Sequence, residues 1–216
     1  MHKQIHQFSI IKFLTVIFLT LLNNVPLNAG ELEDRLNKAL TTLDNLHAEF
    51  KQTVLDDKKS VLQHSMGEVS IQRPGKFSWI YKTPYEQRII SDGSELWVYD
   101  VDLAQVTVKP IEQGLATAPI MVLMKKQKVE SEFDVSEIGQ RKFLYWVELV
   151  PKKSDMEYSR IYLGLEDDTI KAMELRDSFG QSTQIVFENL RKDMVFDPKT
   201  FEFDPPPGVD VFGLGG

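Results

Sequence analysis

The sequence predicts a mainly β protein with few helices: one long antiparallel sheet of about eleven strands, curled on itself and accompanied by an N-terminal helix and a shorter central one. Three observations predict it. Apolar and polar residues alternate with period two over most of the chain after residue 45. Turn signals separate the alternating runs, as at Arg73-Pro74-Gly75 and Ser91-Asp92-Gly93-Ser94. A helical pattern occurs in two places, near the start and in the middle. A sheet of that length curls, and it must bury its inner face or leave sticky edges.

The elements follow in order. Leu32, Leu36, Ala39, Leu40 and Leu43 recur at helical spacing between charged neighbours, which predicts an amphipathic helix over roughly 31–43. Leu46, Ala48, Phe50, Gln52 and Val54 then alternate with His47, Glu49, Lys51 and Thr53, the period of a strand. Val69 and Ile71 precede the Arg73-Pro74-Gly75 turn, after which Phe77, Trp79 and Tyr81 share one face of the next strand. Ile89-Ile90 and Leu96-Trp97-Val98-Tyr99 flank Ser91–Ser94, a hairpin signal. Further alternating runs occupy 104–109, 132–138, 142–150, 158–166, 169–178 and 182–191. The stretch 119–126 opens on Pro119 and closes on Lys125-Lys126, which suits a short helix. Asp204-Pro205-Pro206-Pro207-Gly208 should end the last strand and leave 208–216 as a loose tail.

Residues 1–29 read as a cleaved secretory signal peptide. Lys3 and Lys12 supply the basic region, Phe13 to Leu22 the apolar one, and Leu27-Asn28-Ala29 the cleavage site. Ten apolar-dominated residues rise about 15 Å as a helix, half of a bilayer core, so a membrane anchor is the weaker alternative. Residues 30–216 form one expected domain, able to bury roughly 70% of its unfolded surface. The chain has no Cys, which closes disulfides, zinc thiolates and a Cys nucleophile, and also acylation on a Cys after the signal. An exported, soluble protein is expected, periplasmic if the cell is Gram-negative.

Composition narrows the chemistry. Residues 30–216 hold 23 basic and 32 acidic side chains, a formal charge of −9. So acidic a body gives no support to binding nucleic acid through a basic face. No catalytic motif is present: there is no Gly-x-Ser-x-Gly elbow, His-Glu-x-x-His helix or phosphate-cradling loop. Asp100 and Asp102 suit a hairpin end, and Glu166-Asp167-Asp168 lacks the spaced ligands of a calcium loop. No enzyme activity, cofactor or metal is expected. The informative feature is apolar: the Phe77, Trp79, Tyr81 stripe, with more aromatics at Trp97, Tyr99, Phe143, Tyr145 and Trp146, either fills a core or lines a pocket.

Several of these segments carry a resemblance. Arg73-Pro74-Gly75-Lys76-Phe77-Ser78-Trp79 followed by Ile90-Ser91-Asp92-Gly93-Ser94-Glu95-Leu96-Trp97-Val98-Tyr99 resembles the family of outer-membrane lipoprotein carrier proteins. The opening Leu32–Phe50, Pro119-Ile120-Met121-Val122-Leu123 and Phe201-Glu202-Phe203-Asp204-Pro205-Pro206-Pro207-Gly208-Val209 match in the same order. The resemblance implies an incomplete, half-open antiparallel β-barrel whose hydrophobic cavity is lidded by α-helices. It also implies the task of a periplasmic chaperone. Such a protein accepts mature acylated lipoproteins from a lipoprotein-releasing ABC transporter of the inner membrane and hands them to an outer-membrane lipoprotein receptor.

The resemblance places Arg73 on the strand side of the cavity as a latch, hydrogen-bonded to the lid in the closed, empty form. Its five donors suit the free carbonyls at helix ends; the plainer alternative is a solvated turn residue. Phe77 is expected either to line the cavity mouth or to dock the transporter, with core packing as the alternative. Trp79, Leu36, Leu40, Leu43, Ile120 and Leu123 are assigned to the cavity or lid. A monomer is expected. The rival reading from another class keeps the same half-barrel as a lipid- or lipoprotein-sensing adaptor.

Overall fold

The computed structural model describes residues 29–41, 43–114, 120–124, 128–153 and 157–213. Residues 1–28 of the expected signal peptide (1–29), the ends of the expected central helix and the last three residues lie outside them. Helix α1 spans Ala29–Thr41, and β1 (Asn45–Leu55) follows almost at once. Next come β2 (Val61–Gln72), β3 (Lys76–Thr83), β4 (Gln87–Asp92), β5 (Glu95–Asp100) and β6 (Gln105–Pro110). Two single-turn helices, α2 (Ile111–Gly114) and α3 (Met121–Met124), interrupt the strands. The chain then forms β7 (Phe133–Arg141), β8 (Leu144–Pro151), β9 (Tyr158–Glu166), β10 (Thr169–Asp177), β11 (Ser182–Lys192) and, near its end, the short β12 (Asp210–Gly213).

All strands belong to one sheet, ordered β12-β6-β5-β4-β3-β2-β1-β11-β10-β9-β8-β7. It is two antiparallel meanders, β1–β6 and β7–β11, joined where β1 pairs with β11 from Leu46↔Lys192 to Leu55↔Ser182. The edges β12 and β7 do not meet, so the sheet stays open rather than closing into a barrel. The expected turns fall between β2 and β3 and between β4 and β5, where Gly75 and Gly93 take positive φ.

Two expectations need correction. The segment after the prolines is not wholly a loose tail: Asp210–Gly213 form β12, which runs parallel to β6 with Val211 opposite Val106. The prolines do stop the chain's antiparallel course, but a strand distant in sequence offers an unpaired edge and Asp210–Gly213 satisfy it. The count is therefore twelve strands rather than about eleven. The central helix is also shorter than 119–126 in its described part, a single turn whose last amide, Met124, bonds the Ile120 carbonyl at 3.1 Å.

Strand parity sets the core. Phe50 of β1, Val69 and Ile71 of β2, and Phe77 and Trp79 of β3 point to one face, where they meet Leu163, Leu165, Met173, Leu175, Ile185 and Phe187 of the other meander. Gly67 of β2 sits under the Phe50 ring because nothing larger fits: a Cβ there would lie 1.9 Å from the Ile80 carbonyl oxygen and 2.7 Å from Phe50 Cζ. Gly67→Ala should force strand or ring apart and cost at least about 2 kcal/mol. Urea denaturation should show a lower midpoint with an unchanged slope, and parent-like stability would refute this packing account.

Candidate functional site

The inner face of the sheet is roofed by helices. On α1, Leu36, Ala39 and Leu40 are buried, and Leu43 beyond its end is buried with them. Ile120 and Leu123, from the α3 turn, fill the same space. Beneath lie Phe50 and Trp79, ring centroids 4.5 Å apart, with Tyr81 edge-on to Phe50 at 5.2 Å and Phe187 edge-on to Trp79 at 6.4 Å. The seven apolar residues that the sequence assigns to cavity or lid (Leu36, Leu40, Leu43, Phe77, Trp79, Ile120 and Leu123) thus fall in one buried cluster. Sequence reasoning passed over Phe50, Ala39 and Phe187, although the period-two signal around Phe50 carried the necessary parity.

Arg73 stands where β2 turns into β3, 9% exposed. Its Nη1 donates to the Leu40 carbonyl at 2.6 Å, and its Nη2 donates to the Leu123 carbonyl. These are carbonyls in the last turn of α1 and in the single turn of α3, and the Leu40 carbonyl also accepts from the Leu43 N–H at 3.4 Å. One guanidinium therefore ties both helices to the sheet. Its backbone N–H is fixed as well, donating to the Asp44 carbonyl at 2.8 Å. Burial pushes the guanidinium pKa below its ordinary value, with Asp44 opposing that shift; an arginine stays charged regardless. Nε is buried without a hydrogen-bond partner among the described residues. The closed arrangement therefore carries a polar desolvation cost that opening would relieve.

The rim of α1 is held differently. Arg35 Nε donates to the Asp167 carbonyl at 2.9 Å, and Lys38 Nζ lies 2.5 Å from Asp168. Asn37 Nδ2 donates to Glu130 at 2.7 Å. The acidic turn Glu166-Asp167-Asp168 thus receives the basic side of the helix. Lys38 holds the Asp168 carboxyl below the usual range.

Phe77 is 0% exposed and packs inside the cluster. Its placement supplies lining of the interior; for docking, the side chain would first have to be uncovered. A second hollow, about 610 Å³, opens on the outer face between Leu144, Trp146, Tyr162 and Val186, with the exposed Phe143 at its lip. Arg141, Lys142, Lys171, Glu174 and Arg176 rim it, so an apolar chain laid there would keep one side against water and charge. The covered inner face is the better shelter for apolar matter.

An open sheet whose greasy concave side is shut by tethered helices defines a class of protein: a half-barrel with a coverable apolar interior. Residues 41–204 match the family model described as outer membrane lipoprotein carrier protein LolA, and the chain belongs to that family. A protein of Methylococcus capsulatus called outer-membrane lipoprotein carrier protein is 43% identical over 180 residues, 83% of this chain and 86% of the relative. One of the same description from Nitrosospira multiformis is 37% identical over 203 residues, 93% and 96% of the two chains. Among solved structures, an uncharacterized conserved protein of Thermus thermophilus superposes with a TM-score of 0.54 at 12% identity, covering 85% of this chain and 97% of that one. MucB superposes with 0.51 at 12% identity, covering 86% and 66%. At such identity these two establish shared architecture alone.

Two outcomes follow from the geometry. Arg73→Leu removes both carbonyl bonds, so backbone amides of residues 36–41 should exchange with deuterium at least about tenfold faster, while Arg35→Ala at the exposed rim should change them less than about threefold. Equal rates in parent and Arg73→Leu would show that the arginine holds nothing shut. Phe77→Glu puts a carboxylate into the cluster and should cost at least about 4 kcal/mol. A thermal melt matching the parent would place Phe77 at a surface instead.

Proposed function

We propose that this chain is a periplasmic carrier that takes acylated lipoproteins released from the inner membrane, shelters their acyl chains against its inner face, and delivers them to the outer membrane. Family membership supports the lipoprotein as cargo. The observation that carries the mechanism is the double bond of Arg73 to the carbonyls of Leu40 and Leu123 above an apolar interior. The giving partner in this reading is an ATP-driven lipoprotein-releasing transporter and the receiving one an outer-membrane lipoprotein receptor. Residues 1–29 direct export and are removed, and the protein acts without catalysis or cofactor, as a monomer.

Magnitudes explain why a latch is useful. Each buried CH₂ is worth about 0.8 kcal/mol, so three long acyl chains could contribute tens of kcal/mol. That exceeds the practical affinity ceiling near 20 kcal/mol, and so tight a carrier would not deliver. The helices supply the opposing term. In the closed form Leu36, Leu40, Leu43, Ile120 and Leu123 already cover the inner face, each worth roughly 1.5–3 kcal/mol when fully buried. Cargo replaces that cover instead of adding to it. Loading also breaks the Arg73 bonds, worth about 1.5–3 kcal/mol each for a charged donor. The closed state is then the driving force for release: handing over the acyl chains lets the helices re-cover the face and Arg73 recover its two acceptors.

The test uses purified mature protein and spheroplasts or inner-membrane vesicles making a labelled lipoprotein. The parent should release that lipoprotein as a one-to-one soluble complex and pass it to outer membranes. Arg73→Leu should load at least as well and deliver at least about tenfold more slowly. Failure of the parent to solubilise lipoprotein would remove the carrier reading; delivery by Arg73→Leu at the parent rate would remove the latch.

A further inference from the structure

The inner face is not apolar throughout. On five successive strands it changes character one inward position further from Arg73: Phe50 gives way to Gln52, Gly67 to Ser65, Trp79 to Tyr81, Ile89 to Gln87 and Val98 to Asp100. On β9 and β10 the same face stays apolar through Leu163 and Ile161, and through Met173 and Leu175. The polar side chains enclose a basin of about 270 Å³ beside the aromatic cluster. They are also built in. Gln52 is 8% exposed and Ser65 2%. Tyr81 Oη donates to Gln52 Oε1 at 3.1 Å, Gln63 Nε2 donates to Ser65 Oγ at 2.9 Å, and Gln87 Nε2 donates to Asp100 at 2.7 Å. Burial holds the Tyr81 hydroxyl pKa above its ordinary value, so it stays a donor.

We propose that this basin is a subsite for the amide- and ester-bearing head of the acylated N-terminus, the junction between acyl chains and polypeptide. The inference rests on the carrier reading and adds where the cargo's polar end sits. A cargo whose chains lie under α1 brings with it an acyl linkage and the first peptide groups, which cannot enter an apolar space without hydrogen-bond partners. Glutamine amides both donate and accept, and the Tyr81 bond engages only the oxygen of Gln52. They therefore suit peptide groups in either direction, and the carboxyl group of Asp100 in the same lining is engaged by Gln87. Gln52 and Ser65 adjoin Phe50 and Gly67, so head and chains meet at the polar–apolar boundary.

The experiment measures Kd for two probes by displacement of a fluorescent fatty-acid analogue: an N-lauroyl tripeptide amide, which has a head, and 1-dodecanol, which has the chain alone. Gln52→Leu tests the buried amide, and Gln63→Leu tests an exposed position that folding tolerates. For the lauroyl peptide, Kd should rise about tenfold in Gln52→Leu and about threefold in Gln63→Leu, while Kd for dodecanol stays within about twofold of the parent. Equal weakening of both probes, or an unchanged Kd for the lauroyl peptide, overturns the subsite. A parent protein that binds neither probe fails as a carrier of acyl chains, and the subsite falls with it.

Discussion

Two backbone carbonyls, those of Leu40 and Leu123, finish helices inside the molecule, and one guanidinium serves both. That constraint organises the rest. An open sheet with an apolar inner face needs a cover, and here the cover is built from helices whose buried terminal carbonyls meet a donor rooted in the sheet. Burying such an acceptor without a donor would cost about 1–3 kcal/mol. A long side chain with several donors in a fixed fork, rooted in the tight β2–β3 turn, answers two such ends at once. A small set of directional bonds thus joins the cover to the sheet.

The sheet makes that arrangement possible. Closed barrels have fixed interiors, whereas two meanders joined along β1 and β11 leave β7 and β12 apart. The apolar face is continuous across the joint, through Phe50, Phe187 and Trp79, and the helices cover it on both sides. The walls are closely packed, as the fit of Gly67 against Ile80 and Phe50 shows.

Much of this was legible in the sequence because strand parity is a local property. The alternation around Phe77 and Trp79 put both on one face of a strand, and the helical spacing of Leu36, Leu40 and Leu43 put them on one face of a helix. The turn at Arg73-Pro74-Gly75 was equally plain. What Arg73 touches was not: its acceptors lie 33 and 50 residues away, and only the family resemblance pointed to the lid. β12 was missed because its stability comes from the free edge of β6, far away in the chain. The polar floor was hidden for a related reason. Gln52 has the parity of Phe50, but whether an inward glutamine meets water or a covered basin depends on strands β2 to β5 and their register.

The tethers of α1 divide by solvent exposure. Arg73 acts from within the protein on uncharged carbonyls, whereas Lys38 meets Asp168 at a surface where both are open to water. Dissolved ions weaken the second, solvent-exposed kind of contact and hardly reach the first. Raising the ionic strength should therefore slacken the acidic-turn side of the helix and leave the arginine side fast, so the medium tunes how far the roof tilts without deciding whether it unlocks.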